Sequence, residues 1–109
     1  MIIGVAGPYS APTENERQKN LDVLNVAAAR LLEMGHVPLI GINAALPVLE
    51  KASVPNAYDA GMAISLAVIA GCDALLYLSP SRGADMERDL ILSRGLPLYH
   101  SLAEVPPAK

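Results

Sequence analysis

Apolar positions come in two rhythms along this chain, short unbroken runs and longer stretches spaced by a helical period. "MIIGVAG" (1–7) is branched and continuously apolar and ends at Gly7-Pro8, which predicts a strand buried on both faces followed by a loop. In residues 13–35, Leu21, Leu24, Ala28, Leu31 and Leu32 recur at helical spacing, with Lys19, Asp22, Arg30 and Glu33 between them. Thr13 with Glu16 three residues on reads as a capping box, and Gly35 as the residue that ends the helix. "HVPLIGI" (36–42) predicts a second strand, and its proline argues for a position at the sheet edge or near a strand start. Residues 43–56 hold two prolines and read as an irregular connection with room for one short helix. Helices are then expected over 57–72 and 84–95, strands over 73–79 and 96–101, and a tail beyond, where Pro106-Pro107 ends any regular structure.

Strands alternating with helices imply a parallel sheet covered on both faces. Right-handed crossovers restrict this to an α/β, Rossmann-like or flavodoxin-like three-layer sandwich with a four- to five-stranded parallel sheet. At 109 residues the chain makes one domain. Hydrophobic residues are 52% of the sequence and charged residues 17%, the balance of a folded chain. Trp and Phe are absent, so the core is built from Ala, Val, Leu and Ile.

A net charge of −3 with no Lys/Arg cluster argues against nucleic acid and against an acidic membrane surface as partners. The lone cysteine, Cys72, permits no disulfide or zinc framework within a chain. There is no basic leader, and the longest apolar run is too short for a bilayer, so the expected setting is cytoplasmic. No metal cluster, phosphate-loop motif or catalytic Ser-His-Asp arrangement is visible, and no cofactor is implied. Helix 58–70 carries almost no polar side chain besides Asp59 and Ser65. A helix apolar all round must be buried all round, so it is expected to join subunits in a homodimer or homotetramer.

Ligands of open parallel sheets bind beyond the carboxyl ends of the strands. Those ends carry Gly7, Pro8 and Tyr9, then Asn43, then Ser79, Ser81, Arg82 and Gly83. The helix entered at Gly83 offers free N–H groups and a positive dipole end to an anion such as a phosphate, unless Ser79 or Ser81 merely caps it. At about 100° per residue, Met86, Leu90, Glu87, Ile91 and Ala84 share the core-facing side of that helix. Glu87 there costs solvation unless it has partners. It reads as a nucleophile or base, or else as an ion pair with Arg82 or Arg17. Asn20 falls on the apolar side of the first helix, aimed at the same pocket or bonded to a neighbouring loop. His36 reads as structural, and His100 has no evident partner.

"IIGVAGPYS", Asn20, "LLEMGHVPLI" and "CDALLYLSPSRGADMERDLILSRGLPLYHSLAEVP" resemble the nucleoside 2-deoxyribosyltransferase-like superfamily, nearest its small branch of unassigned function. The similarity spans the chain apart from 43–60, and its most specific part is Ser81-x-Gly83-x-x-x-Glu87. The resemblance implies a homo-oligomer that takes a small-molecule nucleoside or nucleotide and cleaves its N-glycosidic bond, with Glu87 attacking the anomeric carbon to give a glycosyl-enzyme. It further implies Ser81 and Gly83 near the sugar or its 5′-phosphate, and Gly7, Pro8 and Tyr9 near the base and ribose. Enzymes of the family carry an aspartate where counting eight residues back from Asp73 gives Ser65, and Asp59 is no simple substitute. Two other readings follow: a nucleotide-binding module that has lost the general acid, and an interaction protein working through its apolar helix.

Overall fold

The computed structural model describes residues 1–108. Four strands, β1 (Ile2–Ala6), β2 (Val37–Leu39), β3 (Ala74–Tyr77) and β4 (Leu98–Tyr99), form one all-parallel sheet in the order β2-β1-β3-β4. Four α-helices, α1 (Glu14–Glu33), α2 (Gly41–Lys51), α3 (Ala57–Ala70) and α4 (Arg82–Ser93), and a 3₁₀ turn at Leu102–Glu104 complete the regular structure among the described residues. This is the expected three-layer α/β sandwich with a four-stranded sheet.

The two layers follow from the strand pleat. Ile3 and Val5 of β1, with Ala74 and Leu76 of β3, point to one face and bury Leu24, Ala27 and Leu31 of α1. Ala6, Leu75 and Tyr77 point to the other face and pack on Ile69 of α3 and Ala84 and Ile91 of α4. Every residue of β3 is buried, as a central parallel strand requires.

Local signals in the sequence hold at α1. The Thr13 hydroxyl accepts from the Glu16 N–H at 3.2 Å and donates to the Glu16 carboxylate at 3.0 Å, and Gly35 leaves the helix at φ +92°. Pro38 lies in β2, and β2 is the sheet edge. Val37 N–H donates inward to Met1, so by alternation the ring nitrogen of Pro38 falls at the outer edge, where no ladder donor is needed.

Four expectations are corrected. β2 is only three residues long, because Gly41 and Ile42 already belong to α2. The connection over 43–56 is largely that 11-residue helix, with Pro47 inside it. α4 begins at Arg82, ahead of the expected Ala84. The tail is not free of structure: after its 3₁₀ turn, Val105 is buried in the α1-side core. The face of α3 away from the sheet, with Asp59, Ala63 and Ala67 exposed, is uncovered within the chain. Among the described residues no helix is long and apolar enough to cross a membrane.

Candidate functional site

The chain leaves β1 for β2 on one side and, through α2 and α3, returns to β3 on the other. The loops after β1 and β3 therefore diverge, and the crevice between them is the switch point at which such sheets hold ligands. A cavity of about 380 Å³ lies there, within the roughly 300–1,000 Å³ usual for small-molecule sites.

Five elements build its wall. The β1 end and its loop contribute Val5, Gly7, Tyr9 and Ser10, and α1 contributes Leu24. The first turns of α4 supply Ser81, Arg82, Gly83, Ala84 and Glu87. α3 adds Tyr58, Gly61, Met62 and Ser65, while α2 adds Ile42, Leu46 and Leu49 from one helical stripe.

Glu87 is the chemical centre of this arrangement. Its residue exposure is 8%, and its Oε2 is buried without a hydrogen-bond partner. Burial pushes its carboxyl up to about 8, so the acid form prevails at neutral pH. Neither proposed ion pair forms. Arg17 binds Glu14 and the Ala11 carbonyl, and Arg82 places its guanidinium 5.2 Å from the centre of the Tyr58 ring. The helical stripe is narrower than expected: Ala84, Glu87 and Ile91 are buried, whereas Met86 is 37% exposed.

Ser81 both caps and lines. Its hydroxyl accepts the Ala84 N–H at 3.0 Å while the residue forms part of the cavity wall. The space a side chain would need at Gly83 belongs to Met62, whose sulfur would lie 3.2 Å from a Cβ there. So the glycine serves the α3–α4 approach as well as ligand access. Gly7 and Tyr9 line the cavity as expected.

Four predicted site residues stand off the wall. The Asn20 amide donates to the Tyr9 carbonyl at 3.0 Å and so supports the Tyr9 loop from behind the cavity lining. Asn43 donates to Asn25 at 2.8 Å in a separate shallow groove between α1 and α2; the early start of α2 turns it away. Pro8 and the exposed Ser79 are outside the lining. His36 is structural as expected: it is buried, and Nε2–H donates to the Pro106 carbonyl at 2.7 Å. His100 meets the edge of Tyr77 on the far side of α4, with ring centres 5.8 Å apart.

Ser65 is buried and lines the cavity. α2 begins directly against it, since a Cβ on Gly41 would fall 2.7 Å from Ser65 Cβ. Asp59 is exposed in the first turn of α3 and not on the wall. Sequence reasoning missed Ser10, Leu24, Tyr58, Met62 and the α2 stripe. The spacing of Ile42, Leu46 and Leu49 is a usable helix signal, masked by Pro47. Among the described residues no group of three or more His, Cys, Asp or Glu is placed to hold a metal. No family model, curated protein or solved structure matches the chain.

Proposed function

We propose that this chain cleaves or transfers at the N-glycosidic bond of a (deoxy)nucleoside or nucleoside monophosphate, in the manner of the nucleoside 2-deoxyribosyltransferase-like superfamily. The observation that carries the reading is Glu87: a buried carboxyl group with one unpartnered oxygen, on a residue that lines a ligand-sized cavity at the switch point. In the reaction, the ionised carboxylate attacks the anomeric carbon as the C–N bond breaks. The base departs with a proton from solvent, and a glycosyl ester forms on Glu87. Water or a second base then attacks the same carbon and releases the carboxylate. Ser65 cannot protonate a departing base at neutral pH, which favours substrates whose bases leave readily. The Arg82 guanidinium and the main-chain N–H groups of Arg82 and Gly83, which the Ser81 cap leaves free, are the anion-binding end for a 5′-phosphate.

Incubation with a panel of nucleosides and their monophosphates, with free base followed by chromatography, tests this reading. Release that is lost in Glu87→Ala supports it, and release undiminished in Glu87→Ala removes Glu87 as nucleophile.

A second reading is favoured by the serine in place of the aspartate: a nucleotide-binding module without turnover. It predicts thermal stabilisation by nucleotide with no base released, and activity appearing in Ser65→Asp. In either case we place the subunit contact of a homodimer or homotetramer on the outer face of α3. The observation supporting this is that Ala63 and Ala67 are exposed there, with Asp59 as the face's charge. A monomer in sedimentation at micromolar concentration would remove the contact.

A further inference from the structure

The polar groups of the cavity are unevenly shared among its walls. α4 brings Ser81, Arg82 and Glu87, and the β1 loop and the start of α3 bring Tyr9, Ser10 and Tyr58. α2 brings Ile42, Leu46 and Leu49, and Ile40, the residue before it, is apolar too. The polar side chain in the first turn of α2, Asn43, is bonded to Asn25 in the outer groove and takes no part. Ser65, beside Gly41, is the polar side chain set against the start of this wall, and one hydroxyl satisfies at most one or two groups of a ligand.

This inference rests on the glycosidic reading for the ligand's orientation. The sugar carbon must touch Glu87, and an anionic 5′ substituent belongs at the start of α4. The aglycone then occupies the remaining volume, against α2. A nucleobase presents a row of donors and acceptors on its far edge, and burying them against leucine and isoleucine leaves them unpaired. An aglycone whose far edge is carbon meets no such penalty and gains burial. A fitted apolar group in an apolar pocket is worth roughly ten- to two-hundred-fold.

We infer that the substrate class is N-glycosides whose aglycone presents an apolar edge, a bare aromatic ring or an alkyl-substituted base, and that α2 is the element selecting it. Specificity thus comes from the wall the sequence disguised, while the α4 end recognises the glycosyl part common to all nucleosides.

Glu87→Gln, which keeps the cavity's shape without turnover, is titrated by calorimetry with two pairs of ligands: benzimidazole riboside against adenosine, and 5-ethyluridine against uridine. Each is supplied in ribo and 2′-deoxyribo forms, with and without a 5′-phosphate. The expected result is at least tenfold tighter binding of the apolar-edged member of each pair, falling to threefold or less when Leu46→Gln is added. Equal affinities within a pair, preference for the unmodified base, or no binding by any of these ligands would overturn the inference. Base release by the unmutated protein separates the two claims. Release from natural nucleosides alongside equal affinities leaves the reaction standing and removes the selectivity. Selective binding without release from any compound does the reverse.

Discussion

Arg82 stacks its guanidinium on Tyr58, 5.2 Å from the ring centre, although it sits in the same helix as Glu87 and lines the same cavity. Arg82 therefore does not neutralise the buried acid, and neither does the adjacent Arg88, which pairs with Asp85 and Asp89. Arg82 is held at the α4 end of the cavity, and Glu87 keeps an unpartnered oxygen.

The first prediction concerns stability and pH. Glu87 is raised to about 8 in the fold against an ordinary value of 4.5. Below the unfolded value both states hold the proton and stability is unaffected. Between about 4.5 and 8 the unfolded chain gives up a proton that the folded chain keeps, so stability falls as pH rises, by up to roughly 1.4 kcal/mol per pH unit from this group. Denaturant melts of Glu87→Gln should lose much of that slope and leave the variant the more stable one at pH 8. Parallel curves for the two proteins from pH 5 to 8 would count against burial of an unpaired carboxyl.

The same group sets the expected rate profile. An attacking carboxylate must be ionised, so kcat/KM for base release should rise with pH and level off above about 8. A profile that declines from pH 6 upward would assign Glu87 the opposite role, as a proton donor.

Much of this fold is legible in the sequence because its central elements obey one rule at a time. β1 and β3 are short apolar runs with no competing period, and α1 has both a cap and a stop. Glu87 is legible for the same reason, a charge inside the stripe that Ala84 and Ile91 mark as buried. α2 is not legible, because Pro47 breaks its pattern and because "LIGI" continues the apolar run of β2 straight into the helix. The length of β2, the orientation of Asn43 and the apolar wall of the cavity were hidden along with it. Asn20 shows a different limit. The helical wheel places it on the inward side, but whether it meets a ligand or the Tyr9 carbonyl depends on a loop that the period does not describe.

Gly41 and Ser65 give a third prediction. A Cβ on residue 41 would lie 2.7 Å from Ser65 Cβ and 2.8 Å from Ser65 Cα, so α2 and α3 must separate to admit it. Gly41→Ala should destabilise by roughly 1–3 kcal/mol, with only partial recovery in Gly41→Ala/Ser65→Gly because the main chain of residue 65 still stands in the way. Full stability in the single variant, measured by urea unfolding, would mean the two helices are not so closely seated.

Arg82→Ala gives a fourth. The guanidinium–Tyr58 contact is exposed and worth about 0.5–1 kcal/mol, so the melting temperature should move little. Affinity for a nucleoside 5′-monophosphate should drop about tenfold or more, and affinity for the unphosphorylated nucleoside should hardly change. Equal losses for both ligands would place Arg82 outside the phosphate end.

The most direct measurement is mass spectrometry of protein quenched in acid during turnover of a nucleoside that releases its base. The account predicts a pentosyl adduct on the peptide that carries Glu87, absent from Glu87→Gln. An adduct on another residue, or base release at an unchanged rate by Glu87→Gln, would contradict it.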